Sequence, residues 1–309
     1  MRKYISTFLL VAMTGLAAPA VASDKSEHKM KPFILASAAA GDMKTVVADV
    51  IGKLKGAGFE IAGSYSPYPT ATVIVVTNDA LKGAAAKSRY GGYGAAQRVS
   101  VTNIKGKIQV AYTNPLYMAS AYRMKDKLNG AHALLAKALG KGKEFGPDDD
   151  DAMNDEDLRE YQYMWGMEDF TDHFLLAKHA SYQAALDAVE KNLAKGVKGI
   201  TKVYRIDIPG KEETVFGVAM KGKTENDKEY DDAYLMNEID FKDIRSTPHL
   251  PYEMLVSKGR VYSQSARFRI AISFPDLSMM GAHSFMNIMG SPDAIKNALT
   301  LVAGGSLDN

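Results

Sequence analysis

The chain has 309 residues, 46% hydrophobic and 24% charged, with 38 basic against 36 acidic side chains and no cysteine. This is the composition of an ordinary globular protein of roughly two domains, and it excludes collagen, long coiled coil and wholesale disorder. A formal net charge of +2 offers no clustered basic footprint for nucleic acid, and the absence of cysteine removes disulfides, thiolate zinc and iron–sulfur sites, thiol catalysis and c-type haem.

The N-terminus reads as an export leader. Arg2 and Lys3 precede the apolar run 8–18, which closes on the small residues Ala20-Val21-Ala22-Ser23. Pro19 and the polar residues 24–28 arrive too early for a spanning helix, which needs about 20 apolar residues. Cleavage after Ala22 or Ser23 is expected, leaving a soluble periplasmic chain with no transmembrane anchor.

The first periodic segment follows Gly41-Asp42. Met43, Val46, Val47, Val50, Ile51 and Leu54 fall on one helix face, with Asp42 as cap and Gly56 and Gly58 to end it. The spacing predicts a helix over 42–57, with Val47 and Val50 anchoring the fold. Segments 59–62 and 72–77 read as strands, and 99–104 with 107–113 read as a hairpin ending at Pro115. Between the halves, the acidic run 147–157 reads as a linker or helix start rather than a calcium loop, which would need a turn glycine. Tyr161, Met164, Trp165, Met167 and Phe170 then suggest a helix at the domain junction, reported on by the only tryptophan.

A second helix is expected over 181–195, where Tyr182, Ala185, Leu186, Val189 and Leu193 make the stripe, Ser181 caps and Gly196 stops. Strands follow at 201–208 and 214–220. A closing hairpin at 252–256 turns at Ser257-Lys258-Gly259, and the alternation of Phe268, Ile270, Ile272 and Phe274 against Arg267, Arg269 and Ser273 predicts a return strand over 267–274. The order recurs, so the expectation is an α+β fold of two similar domains arising by internal duplication. Residues 30–140 form the first, 141–172 an acidic linker and junction helix, and 173–309 the second. Strands 107–113 and 267–274 are expected in equivalent sheet positions.

The stretch Gly106-Lys107-Ile108-Gln109-Val110-Ala111-Tyr112-Thr113-Asn114-Pro115-Leu116-Tyr117-Met118-Ala119 resembles the domain of unknown function 302 family, whose members carry a strand of this kind near their C-terminus. Leu250-Pro251 followed by the apolar strand 252–256 is similar to that family in the second half. Phe274-Pro275 stands where the first half has Asn114-Pro115, and neither half has the apolar-Gly-Asn-Pro element expected after the middle strand. The resemblance implies a helix packed on an antiparallel sheet, and it implies no reaction.

The chain carries no nucleophile elbow, P-loop or dinucleotide fingerprint. The loop Arg89-Tyr90-Gly91-Gly92-Tyr93-Gly94 offers amides for an anion or simply a close chain approach. The histidines, among them His173 beside Asp169 and Asp172, show no i, i+4 pair for zinc. The function expected is therefore non-catalytic binding of a periplasmic protein or small ligand in a cleft between the domains. An enzyme of unrecognised type is a further alternative. A more specific one lies at 278–289. If that segment is helical, Met279, His283 and Met286 share a face with Met280 adjacent, a soft ligand set suited to copper. The competing reading of those methionines is core packing. No other cofactor is expected.

Overall fold

The computed structural model describes residues 28–307, and the expected leader at 1–22 lies outside them. The first half runs β1 (Phe33–Ala40), α1 (Met43–Gly56), β2 (Glu60–Tyr65), β3 (Ala71–Thr77), α2 (Asp79–Ala86), β4 (Gln97–Ile104), β5 (Lys107–Thr113), α3 (Pro115–Ala121), α4 (Asn129–Leu139) and β6 (Lys143–Phe145). After α5 (Asp155–Arg159) come β7 (Phe174–Lys178), α6 (Tyr182–Lys195), β8 (Ile200–Asp207), β9 (Glu213–Met220) and α7 (Asp232–Ile239). The chain closes with β10 (Tyr252–Ser257), β11 (Arg260–Ser263), α8 (Ala266–Ser273) and α9 (Ser291–Val302).

The elements form where local chemistry favours them. The Asp42 carboxylate accepts from Thr45 N at 2.8 Å and the Ser181 hydroxyl from Ala184 N at 3.1 Å, so both long helices start on side-chain caps. Gly196 ends α6 in the left-handed conformation at φ +62°, which suits a residue with no Cβ. Val50 and Leu54 of α1 are buried and Val47 is half-buried, while Ala185, Leu186, Val189 and Leu193 bury the face of α6. Glu190, the one charged residue aligned with an apolar position of α1 (Ile51), is held outside by Lys202 Nζ at 2.6 Å and Arg205 Nη1 at 3.4 Å.

The fold is α+β, and its two sheets are antiparallel with one strand order. In the first, β2-β3-β4-β5-β1 continues to β6, and in the second the order is β8-β9-β10-β11-β7. The ladder slips at Ala62 in β2 and at Val203 in β8, and again at Ala36 in β1 and Leu176 in β7. Repetition of order and of bulges makes the halves two copies of one topology.

The partner of 107–113 is not 267–274. The return strand of the second hairpin is the short β11, and 266–273 is the helix α8. The alternation that suggests a strand is instead two opposite faces of a helix buried all round. Phe268 and Ile272 join the first half's core, while Ala266, Ile270 and Phe274 join the second's. Residues 160–172 likewise form no helix: Phe170 is buried at the junction, whereas Trp165 is 96% exposed. The acidic run starts α5, where the Asn154 side chain accepts from Asp157 N at 2.8 Å and three carboxylates lie in the first turn. Upstream, residues 143–145 belong to the first sheet as β6, paired to β1.

Alternate residues of β9 and β10 belong to different cores. Phe216, Val218, Met254 and Val256 pack with α6, while Val215 and Leu255 pack against the first half. Each half also lays a one-turn 3-10 segment on the other's sheet. Gly92 N donates to Glu213 Oε1 at 3.0 Å, and Thr102 Oγ1 donates to Thr247 Oγ1 at 3.2 Å. At the centre the buried Glu253 accepts from Arg98 Nη1 (3.0 Å), Tyr204 OH (3.1 Å) and Arg269 Nη1. Arg269 Nη2 also donates to the carbonyls of His249 and Pro251, at 2.5 and 3.1 Å.

Candidate functional site

The methionine-rich segment is an irregular loop ending in a 3-10 turn at Phe285–Ile288, not a helix. Gly281 at φ +109° and His283 at φ +55° break any helical run. The loop closes on itself through Phe285 N to Ser278 O (2.8 Å) and Met286 N to Met279 O (3.2 Å). It is fastened to α7, where Asn287 Nδ2 donates to Glu238 Oε2 at 3.1 Å and Tyr234 OH donates to Asn287 O at 3.1 Å.

The three sequence-derived ligands are therefore not stacked on one helix face. Met279 lines a shallow apolar hollow with Met167, Phe268, Phe274, Leu277 and Phe285. His283 lines a different cleft, beside Tyr68, Met236 and Arg245, and its ring stacks on Phe241 at 4.7 Å and 21°. Its Nδ1 lies 3.2 Å from Glu238 O. A carbonyl only accepts, so Nδ1 carries the proton, and the neutral ring then presents a lone pair at Nε2. Met279, Met280, Met286 and Met289 are 38%, 76%, 49% and 57% exposed, so these thioethers are not core packing. Met164 and Trp165 are exposed on the segment that supplies Tyr163 and Met167 to the wall of the same hollow.

Among the described residues no group of three or more His, Asp or Glu side chains is placed to hold a metal ion. His173 is not oriented as a base. Its ring sits 4.2 Å from Tyr90 and stacks on Tyr93 at 5.3 Å, and burial pushes its pKa down to about 4. Asp169 instead accepts from Arg123 Nη2 at 2.8 Å and from Thr171, and Asp172 accepts from Asp169 N at 2.9 Å. The glycine loop does hold an anion, and that anion is the chain's own Glu213 carboxylate at Gly92 N. Its glycines are needed for closeness: a Cβ on Gly91 would lie 2.0 Å from Ala85 O, and one on Gly94 2.2 Å from Met124 Sδ.

Sequence reasoning did not find the Arg98–Glu253–Arg269 cluster, because its members are far apart in the chain and each looks like an ordinary strand or surface charge. Arg269, in a stretch otherwise apolar at 268, 270 and 272, and Glu253, the lone charge in the apolar strand 252–256, were the available signals. Among the described residues no helix is long and apolar enough to cross a membrane. Comparison with protein-family models, curated proteins and solved structures gives no match.

Proposed function

We propose that this chain is an exported, non-catalytic binding protein that receives an apolar ligand or partner segment at the hollow beside its methionine-rich loop. The observation that supports the reading is the clustering of exposed apolar side chains. Of the large hydrophobic residues exposed among the described residues, Met164, Trp165, Met279, Met280, Met286 and Met289 come from the two segments that flank one hollow. Exposed apolar side chains on neighbouring segments mark an interaction site, and unbranched thioethers adapt to varied surfaces. Trp165 makes the test direct. Energy transfer from it to neutral phenylnaphthylamine should saturate, vanish in Trp165→Phe and weaken several-fold in Met279→Gln. A probe that saturates equally in Met279→Gln, followed by its own directly excited emission, lies elsewhere and removes this reading. Export itself is checked by the intact mass of the secreted chain, which should lack residues 1–22 or 1–23.

A second reading, Cu(I) held by Met279, His283 and Met286, is favoured by the backbone carbonyl at His283 Nδ1. That contact leaves Nε2 as the lone-pair nitrogen, as the outer partner of a metal-bound imidazole does. It requires the loop to bring sulfur from Met279 or Met286 to Nε2. Competition with a colourimetric Cu(I) chelator should then be lost in His283→Ala and Met279→Leu with folding unchanged. Equal, weak competition by all three proteins leaves the loop apolar in role.

A further inference from the structure

On a separate face, at the junction of the two halves, an open cleft of about 730 Å³ is lined by Arg89, Lys178, Lys211, Lys258 and Arg260. Arg89 comes from the first half, where its guanidinium lies over the Tyr90 ring at 4.8 Å and Nη2 meets Tyr90 OH at 3.2 Å. Tyr90 packs in turn on His173 at 4.2 Å, which holds the arginine over the opening. The other four come from the second half, at the end of β7, the β8–β9 turn, the β10–β11 turn and the start of β11.

Two observations set these five cations apart from the other charges on the surface. Among the described residues none of the five forms an ion pair with an acidic side chain, although cations elsewhere do so repeatedly, as at Lys31, Lys198 and Lys242. The one carboxylate in the wall, Glu213, is buried and turned to Gly92 N, and Lys211 spends its ammonium on Ser88 O at 2.5 Å. In addition, Lys178 and Arg260 are direct cross-strand neighbours in the β7–β11 ladder. Like charges placed directly opposite in an antiparallel pair destabilise the sheet, and here no acid relieves them. An anion bound between them would.

We propose that this cleft binds a multiply charged phosphate-type anion, with Arg89, Lys178, Lys258 and Arg260 as its contacts and Lys211 fixing the wall. The planar guanidiniums suit paired oxygens of a phosphoryl group, and the ammonium groups supply point charge around it. Because this site is separate from the methionine-rich hollow, it stands or falls independently of the apolar-ligand reading.

The test is calorimetric titration of the full chain with inorganic pyrophosphate, at ionic strength held constant with chloride. Saturable binding is expected, stronger for pyrophosphate than for orthophosphate and weakening with salt. Lys178→Gln with Arg260→Gln should weaken it by at least about tenfold, since two charge-assisted contacts are lost. The same double variant without ligand should melt at the same temperature as wild type or higher, because an opposed like-charge pair has gone. Lys107→Gln, outside the cleft, should change nothing. Co-sedimentation with vesicles carrying a phosphomonoester lipid, lost in the double variant, would assign the anion to a headgroup; pyrophosphate binding without it assigns a soluble ligand. No binding to either, or binding equal in wild type and double variant, overturns the proposal.

Discussion

Glu253→Gln is the sharpest perturbation of this fold. The glutamate side chain is 1% exposed, and its two carboxylate oxygens serve Arg98, whose side chain is 4% exposed, and Arg269, at 2%. Glutamine keeps the volume, so no cavity forms, and it can still accept one hydrogen bond. What disappears is the single negative charge facing two guanidiniums that cannot shed their protons. Removing one member of a buried charge cluster costs about 3–5 kcal/mol, because the remaining charges stay desolvated without compensation. Exposed pairs such as Lys53–Asp49 contribute only about 0–1 kcal/mol, so the contrast is large. Against a typical stability of about 5–15 kcal/mol, this one change removes a substantial share. Urea unfolding followed by far-UV circular dichroism measures it; tryptophan emission would not, since Trp165 is exposed. A joint replacement, Arg98→Met, Glu253→Leu and Arg269→Met, leaves no uncompensated charge and should cost less than the single change, its remaining loss coming from the Tyr204 hydroxyl and the His249 and Pro251 carbonyls left without partners. A loss below about 1 kcal/mol for Glu253→Gln would mean that the guanidiniums remain solvated, and the account of the junction would fail.

Burial raises the carboxyl pKa of Asp232 to about 8 from an ordinary 3.8. The folded chain therefore holds a proton that the unfolded chain releases, and stability present below pH 3.8 is lost progressively until the pH passes about 8. Between about pH 6 and pH 8 wild type should lose about 2 kcal/mol more than Asp232→Asn in urea titrations, and parallel losses would refute the assignment. Leu54→Ala should cost about 2–5 kcal/mol and Val47→Ala, only half-buried, about 1 kcal/mol, in the same unfolding assay. Gly217→Ala should cost about 1–3 kcal/mol by overpacking. Its Cβ would fall 1.9 Å from Tyr204 Cε1 and drive that ring off Glu253, and a variant as stable as wild type would show the ring free to move.

Helices with one apolar stripe and a capping side chain were legible, because α1 and α6 each bury a single face. So were β3, β5 and β9, where β-branched runs sit between turn residues. β1 was not: its second half is Ser-Ala-Ala-Ala, which has little strand propensity, and that half is held as a strand by pairing with β5 alone, β6 pairing only with Phe33, Ile34 and Leu35. α8 was misread because burial on two opposite faces produces apolar residues at every second position. The methionine loop was misread for the opposite reason. Its apolar residues suggested a packed helix, but Gly281 and the left-handed His283 leave the thioethers on the surface. The cationic cleft assembles from turns of both halves, so no window of sequence contains it.

The repeat also explains why the halves hold each other as they do. Register places Arg98 opposite Val75 and Glu253 opposite Gly217, and the β2 and β8 bulges bring Gly63 and Tyr204 opposite those same residues. Arg98 and Glu253 are thus one position of the shared topology, and so are Gly63 and Tyr204. Both pairs meet across the junction: the carboxylate takes the guanidinium at 3.0 Å, and a Cβ on Gly63 would lie 3.1 Å from Tyr204 Cβ. In a symmetric pair of identical units, a residue near the two-fold axis meets its own copy. An arginine or a glutamate there would face its like in a buried setting, and a bulky side chain at the other position would clash with itself. Opposite charges at one position, and glycine against tyrosine at the other, turn both self-contacts into complementary ones. The charge pair also has to reject alternatives, since either half docked on a second copy of itself would bury two like charges.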